Sequence, residues 1–263
     1  MYNLFVDSTK RQVNLARLRK AGTLALQGVN HLLWPAVCRN CSKNISETEN
    51  GLCQDCWDKL LTCIGADYCP RCGRDVSRFA LLGGACPKCT GEQFHFDQIA
   101  RAGVYDESLR DMILAFKNDR TELDSILGFL ADSALQPSPF FNDIDLFVPV
   151  PLHWWRRLIR GYNQSMVIAK KLRHPTAKIS DDLARIRHTR FQPTMPTDAA
   201  RAKNVAGAFA VRYRHQFAGR RICLIDDIKT TGATLNECAK TLKEAGASKV
   251  YALVLAVAGQ NNQ

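Results

Sequence analysis

Residues 222–234 read Ile-Cys-Leu-Ile-Asp-Asp-Ile-Lys-Thr-Thr-Gly-Ala-Thr, and this stretch decides the fold. The apolar run 222–225 reads as a buried strand and residues 234–245 carry helical periodicity. The acids and threonines between them therefore occupy the C-terminal edge of a parallel strand, where open α/β sheets hold ligands. Thr230, Thr231, Gly232, Ala233 and Thr234 offer small side chains, hydroxyls and successive backbone N–H groups at the start of a helix. Such a turn cradles phosphate, and the positive end of the helix favours it. Asp226 and Asp227 cannot favour the same phosphate; their targets are vicinal sugar hydroxyls, or a Mg²⁺ that offsets a nearby pyrophosphate. The plainer alternative is an ordinary strand-to-helix turn in which Asp227 and Thr230 cap local N–H groups. Neither the Gly-x-x-x-x-Gly-Lys-Thr/Ser phosphate loop nor the Gly-x-Gly-x-x-Gly dinucleotide fingerprint occurs, which argues against ATPase and dinucleotide-binding classes.

Working outward, residues 99–105, 145–150, 220–225 and 249–258 read as strands, and 108–116, 122–135, 162–172 and 234–245 as helices. Alternating strands and helices, with strands apolar on both faces, predict an α/β domain built on an open parallel sheet over residues 95–263. Residues 191–204, with Pro193 and Pro196, lack a periodic pattern and read as a mobile loop. Residues 151–220 hold fifteen Lys and Arg against the acids Asp181, Asp182 and Asp198, a surplus that accounts for essentially the whole formal net charge of +11. A diphosphate site needs only a few bidentate arginines. The remainder, with Trp154 and Trp155 beside Arg156 and Arg157, suits stacking and backbone neutralisation on single-stranded nucleic acid, or else is a solvated face with core tryptophans. His153 and His188 sit in polar contexts within reach of a phosphate, but read first as surface histidines without a role.

Eight of the eleven cysteines form four Cys-x-x-Cys pairs: Cys38/Cys41, Cys53/Cys56, Cys69/Cys72 and Cys86/Cys89. Each pair makes a knuckle that delivers two thiolates to one ion, so residues 38–94 predict a double zinc ribbon with two structural four-thiolate sites. Sequential and interleaved pairing are both open, and an iron–sulfur cluster or redox thiols are the lesser alternatives. Cys223 and Cys238, in a core strand and the helix after it, read as small buried apolar residues, and Cys63 is solitary. Residues 1–37 form an N-terminal arm with an amphipathic helix over 12–33. No signal-peptide pattern or membrane-length apolar run occurs, so a cytoplasmic protein with reduced thiols is expected. At 263 residues, 46% hydrophobic and 23% charged, the chain suits one sizeable core with an appendage and fits no disordered, collagen-like or coiled-coil class.

Together these motifs resemble the 5-phosphoribosyl 1-diphosphate (PRPP) motif of type I phosphoribosyltransferases. More closely, the chain resembles the ComF family of bacterial competence and DNA-utilisation proteins, over about residues 38–258. Val148-Pro149-Val150-Pro151-Leu152 leading through Arg156 to Arg160-Gly161-Tyr162-Asn163-Gln164, then Thr189, Gln192, Arg201 and Asn204 ahead of Ala208-Phe209, carry the resemblance with the 226–234 turn. It implies that Asp226 and Asp227 hold the ribose hydroxyls and residues 230–234 the 5-phosphate. It also implies that the turn bearing Arg156 and Arg160 receives pyrophosphate with Mg²⁺, and that residues 191–204 form a hood bringing Arg190 and Arg201 to the ligand. Purine-salvage members often carry an Asp base where this chain has Thr230, which argues against purine salvage. The resemblance implies a PRPP-binding protein of DNA uptake acting on or beside incoming single-stranded DNA, alongside DNA-uptake or recombination proteins. The alternative is a transferase of 5-phosphoribose to an unidentified acceptor with release of pyrophosphate.

Overall fold

A computed structural model describes residues 36–46, 51–65, 67–189 and 197–259. The amphipathic segment 12–33, Arg190 and residues 191–196 lie outside the described residues. The chain divides into two compact units, Met1–Trp57 and Asp58–Gln263.

In the second unit, five parallel strands stand in the order β1-β7-β6-β2-β3: β1 (Gln98–Val104), β2 (Leu146–Pro149), β3 (Lys178–Ile179), β6 (Arg221–Lys229) and β7 (Lys249–Val257). β4 (Leu183–Arg185) and β5 (Phe209–Val211) make a separate antiparallel ribbon. The helices are α1 (Gln54–Thr62), α2 (Glu107–Lys117), α3 (Asp124–Leu135), α4 (Trp154–Arg160), α5 (Gln164–Ala169), α6 (Asp198–Val205) and α7 (Ala233–Glu244).

β7 is buried at every residue after Lys249, as its unbroken apolar run requires of a central strand covered on both faces. On one face α7 buries Leu235, Cys238, Ala239 and Leu242, a single helical stripe, against Ile222, Leu224, Val250, Ala252 and Val254. Each leucine so buried contributes about 1.5–3 kcal/mol. α3 packs on β1 and β7 with Ile126, Leu127, Leu130, Ala131 and Leu135 turned inward. Cys223 and Cys238 are wholly buried and burial pushes both thiols up, so they act as small apolar residues, as expected.

Three expectations need correction. The strand expected to stop at residue 225 continues through Asp226 and Asp227 to Lys229, because β7 runs beside it and supplies partners: Asp226 is in register with Val254, Ile228 with Ala256 and Lys229 with Val257. The 191–204 loop is partly helical: Thr197 Oγ1 accepts from the Ala200 N–H at 3.1 Å and caps α6, whose alanine-rich sequence has high helix propensity. His153 is buried rather than a surface residue; its Nδ1 accepts from the Trp155 N–H at 3.4 Å and caps α4, a helix the sequence reading missed.

Candidate functional site

The cysteines fall into two sets, Cys38/Cys41/Cys53/Cys56 and Cys69/Cys72/Cys86/Cys89, with the four sulfurs of each set within 4.8 Å of one another. Cys41 and Cys53 Sγ are 3.6 Å apart; Cys69 and Cys89, and Cys72 and Cys86, are each 3.7 Å apart. A tetrahedral ion with Zn–S bonds of about 2.3 Å requires S–S edges of about 3.8 Å, so both sets fit one zinc each, with sequential pairing. Four thiolates complete each site, as a structural rather than a catalytic zinc requires.

The first knuckle of each ribbon turns through a left-handed residue. Ser42 (φ 62°) donates its N–H to the Cys38 carbonyl at 2.8 Å, and Gly73 (φ 78°) does the same to Cys69 at 2.7 Å. A Cβ on Gly73 would stand 3.0 Å from Val257 Cγ2, which explains glycine there and a side chain in the first ribbon.

The acid pair lies at the C-terminal end of β6, between β7 and β2. The two side chains alternate across the sheet and meet different groups. Asp226 is part-buried; its Oδ1 accepts from Ser165 Oγ at 3.3 Å and from the Asp227 N–H at 2.9 Å. Burial first, and the neighbouring Asp227 charge second, push its carboxyl up to about 7. Asp227 Oδ2 is paired with Lys117 Nζ at 2.8 Å, both side chains being less than a fifth exposed. Lys117 is the last residue of α2. The preceding residue, Phe116, accepts a hydrogen bond from Tyr162 Oη through its carbonyl, which ties α2 to the turn before α5.

The sequence reading missed Lys117 because no spacing rule links residues 110 positions apart. It missed Ser165 for a milder reason: that residue follows the Tyr162-Asn163-Gln164 motif directly, and Asn163 caps α5 through its own side chain.

Beyond Lys229 the chain turns through Gly232, which sits at φ 85° as N-cap of α7 and gives that helix no side-chain cap. Thr231 Oγ1 accepts the Ala233 N–H at 3.2 Å, and the first turn of α7 holds no acid. Asp227 does not cap the turn, since its carboxylate faces Lys117.

On the β2 side, Asn163 Nδ2 donates to the Val150 carbonyl at 3.1 Å and closes the loop that carries α4. Arg156 is half-buried and donates to the Thr189 carbonyl at 3.1 Å; Arg160 donates to Gln164 Oε1 at 3.5 Å. Arg185 also reaches Thr189, through its hydroxyl, while lying 5.3 Å over the Phe209 ring. Burial, then the charges of His188, Arg185 and Arg156, holds the His153 imidazole below its ordinary range and keeps it neutral. Trp154 and Trp155 are 65% and 47% exposed, edge-to-face at 5.6 Å, with Leu158 and Ile159 exposed beside them. Arg201 lies in α6.

An open parallel sheet with an acidic strand end running into a glycine-led helix start, in a chain that also carries two four-thiolate sites, has the layout expected of a phosphoribosyltransferase-like fold with a double zinc ribbon. A family model described as a double zinc ribbon domain matches residues 29–92. Competence protein F of Haemophilus influenzae is 29% identical over 226 residues, covering 83% of this chain and 96% of that protein. Competence protein ComFC of Bacillus subtilis is 28% identical, covering 74% and 79%. The DNA utilization protein YhgH of Escherichia coli K12 is 27% identical, covering 82% and 94%. These relatives and the double zinc ribbon together support the ComF family for this chain. A solved allosteric regulatory enzyme of purine biosynthesis overlaps at 21% identity and TM-score 0.33, covering 50% of this chain and 26% of that one, too loosely to carry argument. Among the described residues no helix is long and apolar enough to cross a membrane.

Proposed function

We propose that this chain binds PRPP with Mg²⁺ at the 226–234 turn and acts on or beside single-stranded DNA during natural transformation. The observation that carries the reading is the join of two unlike halves within nine residues. A carboxylate pair stands near the end of β6, and a helix start with Gly232 at positive φ follows it, where the Thr231 hydroxyl takes the Ala233 N–H. Carboxylates accept from ribose hydroxyls, and the N–H groups at the start of α7, with the hydroxyls of Thr230, Thr231 and Thr234, take the 5-phosphate. Arg156 and Arg160, on α4, face the pyrophosphate, and Arg201, in α6, comes to the ligand; Arg190, which lies outside the described residues, is given the same role by the resemblance alone. Mg²⁺ would neutralise the pyrophosphate and share the oxygen ligands that Asp226 or Asp227 offers. Lys117, 2.8 Å from Asp227 Oδ2, holds that carboxylate in place until the ligand arrives.

The nucleic-acid part rests on α4, where two exposed indoles stand beside Arg156 and Arg157 in the most basic stretch of the chain. The curated relatives are named for competence and DNA utilization. Thr230 stands, exposed, where purine-salvage enzymes keep their acid, which argues against a purine acceptor.

Calorimetric titration of the zinc-loaded protein with PRPP and Mg²⁺, against Asp226→Asn/Asp227→Asn, tests the sugar site. Saturable binding by the wild type and its loss in the double variant are expected. Equal affinity in both would refute the assignment. Pyrophosphate release on adding a single acceptor would instead establish the transferase alternative.

A further inference from the structure

Two cations converge on one neutral, buried residue. Thr189 is 3% exposed, yet Arg156, from α4, donates to its carbonyl at 3.1 Å, and Arg185, the last residue of β4, donates to its hydroxyl. The two guanidinium groups come from separate elements, and each element is fixed beside the acid pair. The loop carrying α4 starts at Val150, whose N–H donates to the Ile225 carbonyl at 2.9 Å, one residue before Asp226. Arg185 lies over the Phe209 ring, and Phe209 belongs to the same packed cluster as Leu235 in the first turn of α7. Elsewhere the fold gives its arginines a carboxylate: Arg74 has Glu92, Arg101 has Asp75 and Arg221 has Asp145. Among the described residues no carboxylate forms an ion pair with Arg185, and its Nε is buried without an acceptor. His188, next to Thr189, meets the His153 ring at 4.9 Å and adds a second pair of nitrogen groups to the same corner. Like charges held together at a neutral residue cost energy that an anion recovers, and the planar fork of a guanidinium matches phosphate.

We propose that Arg185, Arg156 and Thr189 form an inner subsite for one phosphate of a single-stranded nucleic acid, so that the strand lying on α4 enters the cleft beside the acid pair. The source of the phosphate follows from α4. Arg156 turns inward to Thr189, while Trp154 and Trp155 on the same short helix stay 65% and 47% exposed. A backbone whose bases stack on those indoles passes Arg156 and carries a phosphate to Arg185, whereas a free phosphate makes no use of the indoles. Arg156 then borders the pyrophosphate on one side and the strand on the other, which makes the strand the second ligand of the sugar site. This inference rests on the nucleic-acid part of the proposed function.

The test measures the affinity of the zinc-loaded protein for a fluorescent single-stranded oligonucleotide over a range of salt, in wild type, Arg185→Gln and Arg185→Lys. Arg185→Gln should bind about 10-fold more weakly and lower the slope of log affinity against log salt by about 0.7, the share of one phosphate contact. Arg185→Lys keeps the charge and should keep the slope, but it loses the fork and should still lose affinity. An unchanged slope in Arg185→Gln, or a slope that falls as far in Arg185→Lys, would overturn the proposal. A wild type that binds no oligonucleotide would overturn this subsite and the nucleic-acid reading together. Binding that responds to Arg157 and Arg160 but not to Arg185 would overturn the subsite alone. Should the variants not fold, arginine labelling of the wild type with phenylglyoxal, mapped by peptide, decides. Saturating oligonucleotide should suppress labelling of Arg185. Labelling that the oligonucleotide leaves unchanged, including labelling suppressed by magnesium pyrophosphate alone, would overturn the proposal.

Discussion

Asp226→Asn should make the protein more stable in mild alkali and change little in acid, an outcome opposite to that of most substitutions near a site. In the folded chain the Asp226 carboxyl is pushed up to about 7 from its ordinary 3.8, by burial first and by the Asp227 charge second. Below both values the folded and unfolded chains are equally protonated and there is no penalty. As pH rises above 3.8 the unfolded chain releases the proton and the folded one keeps it, so stability falls until the folded group titrates near 7, and is level beyond. At about 1.4 kcal/mol per pH unit the limiting penalty is about 4 kcal/mol, and the water that reaches a part-buried carboxylate lowers it to about 2–3 kcal/mol. Roughly 1–2 kcal/mol of this accrues between about pH 5 and pH 8.

Asparagine keeps the shape and the hydrogen bond from Ser165 but does not titrate. Urea unfolding of both zinc-loaded proteins at the two pH values reads the difference directly. The variant should gain on the wild type by that amount between the two conditions. A variant equally destabilised at both would show that Asp226 is ionised and well solvated, and the electrostatic description of the site would fail. A strain of this kind is what the proposed ligand site calls for, since two adjacent acids at a buried strand end cost stability.

Other consequences are direct. Lys117→Met leaves Asp227 without its partner beside a second carboxyl and should cost about 1–3 kcal/mol in urea unfolding near pH 8; wild-type stability would mean that the ion pair contributes nothing. Gly232→Ala places a Cβ at φ 85°, 2.9 Å from Lys229 Cε, and should cost at least about 1–2 kcal/mol in thermal unfolding while weakening PRPP binding; a neutral effect on both would contradict the turn geometry. Changing Arg156, Arg157 and Arg160 to Ser should lower the slope of log affinity against log salt for a single-stranded oligonucleotide by about 2, given roughly 0.7 per phosphate contact. An unchanged slope would remove α4 from the nucleic-acid surface.

The parts of the molecule legible in its sequence are those fixed by local pattern. The cysteine pairs, the apolar run of β7 and the stripe of Leu235, Cys238, Ala239 and Leu242 carry their structure in short-range spacing. The parts that were not legible depend on contacts between distant residues. β6 extends past Ile225 only because β7 lies alongside, and no propensity would continue a strand through two aspartates and a lysine. Asp227 meets Lys117 because Tyr162 fastens the end of α2, a link invisible to periodicity. His153 looks like a surface residue in its polar neighbourhood and is buried because it caps α4. Which cysteines share an ion was open in the sequence and is decided by the sulfur–sulfur distances.

The central claim is that the turn from Asp226 to Thr234 wraps a sugar phosphate. Amide hydrogen exchange of the zinc-loaded protein with and without PRPP and Mg²⁺ reads that most directly, because it locates the ligand as well as detecting it. Slowed exchange concentrated in residues 226–236 and in the loop from Val150 to Ser165 is the result predicted. No change in either segment at saturating ligand, or protection confined to the zinc ribbons, would contradict it.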